Sequence, residues 1–215
     1  MPTIDYVPGK RQGILGDTSS PQTFQQIQLW LEHCKHDHAG CAVDRTDRFL
    51  PTRLIDLTGW HKSQTLRLVE SRTISRDVES LPVYTTLTYK WAADATAATS
   101  TNSSNLAARL MSLVPSDLPL LFLHAIEASH KLSVSYLWID SLCILQDSKA
   151  DFETEAAMMS KIYRHSYCTI SAGLDDTDTL GLFRQQDVKN NAVEFELRDG
   201  NGEMRRVRAL ERQGK

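Results

Sequence analysis

Four polar residues, Asp140, Ser141, Gln146 and Asp147, follow directly on an apolar run in Tyr136-Leu-Trp-Ile-Asp140-Ser-Leu-Cys-Ile-Leu-Gln146-Asp147. Tyr136 to Ile139 has the aromatic and β-branched content of a buried strand, which puts Asp140 at its carboxyl end. In open α/β sheets that end is where ligands collect. Two more apolar runs end in polar groups, Tyr89 before Lys90 and Trp91, and Ala172 before Asp175, Asp176, Gly181 and Arg184. If the three strands are parallel, their loops open on one edge and line one cleft. Each residue also has a plainer use: Asp147 or Ser148 as a cap for the next helix, and Asp175 to Asp178 as a solvated loop.

A second chemical group lies on the helix expected over Asp151 to His165. At about 100° per residue, Glu155 falls on the stripe of Phe152, Met159 and Ile162, whereas Glu153 shares a polar face with Ala157, Ser160 and Arg164. An inward carboxylate needs a partner or a raised pKa, and either is a known way to make a catalytic acid or base. The competing reading is a structural ion pair, for example with Arg184.

A third group is His33-Cys34-Lys-His36-Asp-His38-Ala-Gly-Cys41. Cys34, His38 and Cys41 are weak candidates for metal ligands, with His36 or His61 as a fourth. There is no paired C-x2-C, so zinc is disfavoured; a helix end whose histidines favour the carboxyl-terminal dipole explains the segment as well.

The elements that must position these groups follow from periodicity. Residues 1–21, with Pro2, Pro8, Gly9, Gly13, Gly16 and Pro21, read as an irregular arm. Thr23 is placed to cap a helix carrying Phe24, Ile27, Leu31 and Cys34. Arg53–Leu57 and Thr65–Glu70 read as short strands, Leu81–Tyr89 as a strand, and Ala92–Ser104 as a surface loop or insertion. Leu118–Lys131 reads as a helix, and Tyr167–Ala172 as a strand after the Asp151 helix. Strand and helix alternation implies an α/β fold with a mostly parallel sheet flanked by helices. Ala192–Leu197 and Met204–Leu210 flank Arg198-Asp-Gly-Asn-Gly-Glu203, which has hairpin chemistry.

The 215 residues, 41% hydrophobic, suit one well-buried domain with an extension. A formal net charge of -3 gives no general basic field, which argues against nucleic acid; Arg205, Arg206 and Arg208 fit a solvated strand face. No window approaches the roughly 18–20 apolar residues of a membrane span. With four cysteines, two of them in apolar runs, and no signal-like start, a reduced cytoplasmic protein is expected.

Three blocks carry a family resemblance. Tyr84-Thr-Thr-Leu-Thr-Tyr89-Lys-Trp91 resembles the opening Y-x-x-L-S-Y-x-W-G of fungal heterokaryon incompatibility (HET) domains; Leu137-Trp-Ile-Asp140-Ser141-Leu-Cys-Ile-Leu-Gln146-Asp147 resembles their central W-I-D-x-L-C-I-x-Q-D. Gly181-Leu-Phe-Arg184 resembles the later G-L-F-x-R, and Asp151 to Tyr163 the D-W-x-x-E helix between them. Ala92 stands where the opening block has Gly, Phe152 where the helix has Trp, and Ser133 where a Gly precedes the central strand. The resemblance implies a domain over 81–215, preceded by lead-in elements over 22–80, and incomplete at its carboxyl end because no W-x-x-Q-E block occurs before Lys215.

The resemblance further implies fungal nonself recognition and programmed cell death through self-association or protein partners, with no required cofactor. HET domains are similar to TIR domains, which have a flavodoxin-like sheet and some of which cleave nicotinamide from NAD with a helix glutamate. By that similarity NAD is a candidate substrate and Glu155 a candidate catalytic residue. The cleft would comprise Tyr89, Trp91, Asp140, Ser141, Gln146, Asp147, Gly181 and Arg184. No Gly-rich phosphate loop supports a dinucleotide oxidoreductase.

Overall fold

The computed structural model describes residues 16–38, 49–75, 82–91, 99–173, 181–185, 192–198 and 204–210, the last two stretches as backbone only. Cys41, Asp175, Asp176, the proposed turn of the carboxyl-terminal hairpin and most of the 92–104 loop therefore lie outside the described residues. Chain contacts divide the protein into two compact units, Met1–Leu31 with Phe183–Lys215, and Glu32–Leu182.

The Glu32–Leu182 unit holds a five-stranded sheet in the order β2-β1-β4-β3-β5. Its strands are β1 (Arg53–Asp56), β2 (Arg67–Glu70), β3 (Tyr84–Thr88), β4 (Tyr136–Ile139) and β5 (Thr169–Ser171). β4 and β5 both run parallel to β3, one on each side, while β1 is antiparallel to β4 and to β2. The expected α/β sheet with flanking helices is therefore present, with a parallel centre and an antiparallel pair added at one side. The order β4-β3-β5 reproduces the opening 2-1-3 of a flavodoxin-like sheet, whose switch point lies between the first and third strands.

The helices joining these strands occupy opposite faces. α4 (Leu120–Lys131) links β3 to β4 and α6 (Lys149–Arg164) links β4 to β5. Thr85 Oγ1 lies 2.7 Å from Ser129 Oγ of α4, whereas the adjacent Tyr84 hydroxyl donates to the Ile162 carbonyl of α6 at 2.7 Å. Alternate side chains of a strand point to opposite faces, so one strand anchors both helices. Leu121, Phe122, Ala125 and Ile126 cover one face, and Trp138 meets Tyr163 of α6 edge to face at 5.7 Å on the other.

Helix ends follow local chemistry, with two departures from expectation. α1 (Pro21–Asp37) starts earlier than its periodicity implies: Ser20 Oγ accepts from Thr23 N at 3.2 Å, and Pro21 takes the first helical position, where its missing N–H costs nothing. Ser148 caps α6, accepting from Asp151 N. The second departure is Phe152, expected in the α6 stripe but 53% exposed. It sits in the first turn, on the flank of a stripe centred on Glu155 and Ile162. Short helices also interrupt regions without a clear period: α2 (Trp60–Ser63), α3 (Leu106–Met111) and α5 (Asp140–Cys143).

α4 ends in a Schellman motif, with Ser133 N bonded to His130 O at 2.8 Å and Val134 N to Ser129 O at 3.0 Å. The motif needs a left-handed residue, and Ser133 has φ 60°. The left-handed conformation costs a non-glycine residue about 1–2 kcal/mol, partly offset by the greater unfolded-state freedom of glycine. Ser133→Gly is therefore expected to stabilise the protein by about 0.5–1 kcal/mol, seen as a higher urea midpoint with an unchanged slope.

In the other unit, β6 (Ala192–Arg198) and β7 (Met204–Leu210) pair antiparallel as the expected hairpin. Thr18 N donates to the Arg184 carbonyl at 3.0 Å, and Phe24 meets Phe183 edge to face at 6.1 Å. Among the described residues no helix is long and apolar enough to cross a membrane.

Candidate functional site

The carboxyl ends of β3 and β4 bring Tyr89, Trp91, Asp140 and Ser141 together. Trp91 Nε1 donates to Asp140 Oδ2 at 2.8 Å, and the Ser141 amide donates to Oδ1 at 2.7 Å. The Tyr89 hydroxyl donates to Ser141 Oγ at 2.8 Å, its ring packed edge to face on Phe122 of α4 at 5.3 Å. Burial raises the Asp140 pKa above the ordinary carboxylate value, and the bonds from Trp91 and Ser141 oppose that rise.

Sequence reading did not single out Tyr163 of α6, which completes this edge. Burial raises its pKa, the charge on Asp140 raises it further, and Thr88 acts in the opposite sense. The phenol therefore keeps its proton and remains a hydrogen-bond donor at neutral pH. Its signal was present only as one more aromatic residue on an amphipathic helix.

This arrangement sits beside the switch point of the parallel strands, where loops diverge. The Trp91 indole is 41% exposed with its N–H committed to Asp140, so its ring faces remain for stacking a planar group. Asp140 offers acceptor lone pairs to a hydroxyl or amide, and its raised pKa favours proton exchange closer to neutral pH.

Other residues of the central block hold its shape. Gln146 Nε2 donates to the Ile144 carbonyl at 3.0 Å and to the Asp140 carbonyl at 3.3 Å, and Asp147 accepts from Ser103 N at 2.9 Å. Buried Thr101 donates through Oγ1 to the Leu142 carbonyl at 2.6 Å and accepts from Gln146 N at 2.8 Å. Cys143 is fully buried, and that burial pushes its thiol up to about 12, far from a reactive thiolate.

Gly181 and Arg184 fall in different units. Gly181 has φ +67°, and a Cβ there would overlap the His124 ring of α4. The next amide, Leu182 N, donates to His124 Nδ1 at 3.0 Å, which places the proton of the neutral ring on Nε2. Arg184 N donates to Thr18 Oγ1 at 2.7 Å in the other unit.

Glu155 is 1% exposed, as its inward placement required. Among the described residues neither carboxylate oxygen has a hydrogen-bond partner. Burial raises its pKa most strongly; Thr52 and the Arg53 guanidinium pull it down, and Asp151 pushes it up. Thr52 is close enough to favour the charged form, but neither of its groups aligns into a hydrogen bond with the carboxylate. The cation beside Glu155 is thus Arg53 of β1. Arg53 is itself committed, donating from Nε to the Cys143 carbonyl at 2.8 Å and pairing with Asp151, whose carboxylate also accepts from Leu145 N at 2.8 Å. Sequence reading missed Arg53 because it opens a short strand, where a charged residue ordinarily marks the solvent end.

At the amino-terminal His and Cys segment, Cys34 and His38 lie about one turn apart at the end of α1, with His38 exposed. His33 pairs instead with Asp37 at 2.5 Å. Among the described residues no group of His, Cys, Asp and Glu is gathered as a metal site, and Cys41 lies outside them.

No curated protein and no solved structure matches the chain. The family profile described as Heterokaryon incompatibility protein (HET) matches residues 84–213, more than half of the chain, and its span includes Trp91, Asp140 and Glu155. The match begins at the first residue of β3 and takes in the whole edge built by Tyr89, Trp91, Asp140 and Ser141. The chain belongs to the heterokaryon incompatibility (HET) protein family.

Proposed function

We propose that this protein is a cytoplasmic effector of fungal nonself recognition that triggers growth arrest or cell death through self-association or a protein partner. The Trp91–Asp140 edge is its working surface. Family membership supports the incompatibility role. The observation that carries the site is the 2.8 Å bond from a half-exposed indole to a half-buried carboxylate across the carboxyl ends of β3 and β4. A surface tryptophan held in one orientation presents a rigid face to a partner at little entropic cost.

Inducible expression in a fungal host tests this reading. Wild type is expected to arrest growth, and Asp140→Asn, which keeps the shape but removes the charge, is expected to restore it at equal protein level and unchanged circular dichroism. Normal growth with abundant folded wild-type protein overturns the proposal.

Glu155 favours a second reading, cleavage of nicotinamide from NAD. A buried carboxylate with an elevated pKa and no hydrogen-bond partner is a recognised mark of a functional group. At 1% exposure it reaches a substrate only after α6 or its neighbours open. Nicotinamide release by wild type, lost by about 100-fold or more in Glu155→Gln, is the expected result if this residue acts on the substrate. Equal turnover by the two proteins removes Glu155 from the chemistry.

A further inference from the structure

α5 carries Asp140 at its first position, and its four residues make barely one turn. Ile144 N bonds back to the Asp140 carbonyl at 3.0 Å, but forming a first turn is unfavourable on its own. The shape of α5 therefore depends on what takes up its last carbonyls, which a helix end leaves without intrahelical partners. Each of them is taken. Thr101 N donates to the Ser141 carbonyl at 2.9 Å, and Thr101 Oγ1 to that of Leu142 at 2.6 Å. Gln146 Nε2 donates to the Ile144 carbonyl at 3.0 Å, and Arg53 Nε to the Cys143 carbonyl at 2.8 Å.

These holds differ in origin. Thr101 and Gln146 reach α5 from chain that runs beside it, since Thr101 bridges to Leu145. Arg53 comes from β1, 90 positions away, and brings a charge. Its guanidinium is used in two directions: Nε takes the Cys143 carbonyl while Nη2 pairs with Asp151 of α6. The planar fork fixes both directions at once, which a lysine ammonium does not. The arrangement is shielded from water, the Arg53 side chain being 5% exposed and Cys143 fully buried. The same guanidinium lies beside Glu155, so the two candidate sites share one arginine.

We propose that Arg53 is a positioning residue of the Trp91–Asp140 edge: by holding the Cys143 carbonyl it keeps α5 turned so that the Asp140 carboxylate stays on the Trp91 indole. Residues 140 and 143 are separated by a rise of about 4.5 Å along one turn, so a displacement at Cys143 is passed to Asp140. Without the Nε donor the Cys143 carbonyl is left buried and unbonded, and the turn shifts to satisfy it. The inference rests on the reading of this edge as the working surface and adds the residue that governs it.

The indole proton of Trp91, observed by proton–nitrogen NMR of the full chain and identified by its loss in Trp91→Phe, reads this directly. An N–H bonded to a carboxylate resonates downfield, so Asp140→Asn is expected to move it upfield. Arg53→Lys keeps a charge for Asp151 but lacks the fork. It is expected to remain folded, to move the Trp91 resonance in the same direction and to speed its exchange with solvent by about tenfold or more, the loss of one charge-assisted bond. Arg53→Met is expected to do the same; circular dichroism identifies a variant that has failed to fold, and the other then carries the test. Ile126→Ala, a buried change in α4 on the opposite face of the sheet, is expected to lower stability with the resonance in place. An unmoved resonance in the folded Arg53 variants overturns the inference. An equal shift in Ile126→Ala, or a wild-type resonance indifferent to Asp140→Asn, also overturns it. Growth arrest by the same variants separates this inference from the effector reading. A displaced indole with undiminished arrest keeps Arg53 in its role and rejects the edge as the working surface. An unmoved indole with arrest lost in Asp140→Asn does the reverse.

Discussion

Arg53→Met is expected to lower the free energy of unfolding by about 3–5 kcal/mol, enough to move a urea midpoint substantially. The Arg53 side chain is 5% exposed and the Asp151 side chain 17% exposed, so their pair is shielded from water. Among the described residues, removing the cation leaves the Asp151 carboxylate with the Leu145 amide alone, leaves the Cys143 carbonyl without the Nε donor, and removes the one positive charge that lowers the Glu155 pKa. Breaking one side of a buried pair costs more than the pair contributes, because the surviving charge stays desolvated. Asp151→Leu combined with Arg53→Met should therefore destabilise less than the two single losses added together. A double-mutant cycle by equilibrium urea denaturation measures that coupling; strictly additive losses would show the two residues acting independently.

Glu155→Gln is expected to stabilise the protein at neutral pH and to flatten its pH dependence. Burial raises the folded-state pKa above the ordinary 4.5, so the folded protein holds this proton more readily than the unfolded chain does. The stability associated with the protonated form is fully present below 4.5 and is lost as pH rises from there through the folded-state pKa. The Gln variant has no proton to lose at this position. Its stability relative to wild type should therefore grow across that window, reaching about 1–3 kcal/mol above it, the usual cost of leaving a buried polar group unsatisfied. Any fixed cost of burying the amide shifts the whole curve and leaves the slope difference intact. Urea denaturation of both proteins at pH values across the window measures it, and parallel curves would show that Glu155 loses its proton as easily in the folded protein as in the unfolded chain.

Much of the architecture was legible because it depends on neighbours in the chain. The strand at Tyr136–Ile139 announced itself by composition, and β3, α4, α6 and β5 followed from periodicity with small shifts at their ends. The inward direction of Glu155 followed from helical geometry alone. Phe152 shows the limit of that method, since an angular position near the stripe does not establish that anything packs over the first turn. The Asp140 edge was readable in outline from strand order. Its particular contacts were not: the Trp91 indole reaches a residue 49 positions away, and Tyr163 comes from a different helix.

Ser133 joins the two levels. A glycine expected before the central strand is replaced by serine, and the structure explains the expectation by the left-handed backbone required at the end of α4. Arg53 and Asp151 are 98 positions apart, and nothing in the short alternation around either residue announces the other. The sequence by itself determined the order of strands and helices, the parallel α/β class, the buried face of α6 and the family blocks, because these rest on local periodicity and residue type. The tertiary structure alone decided that β1 enters antiparallel beside β4, that its arginine closes on α6, and that β3 sits between β4 and β5. Sheet pairing joins segments distant in the chain, and a carboxylate's ionisation depends on which of them bury it.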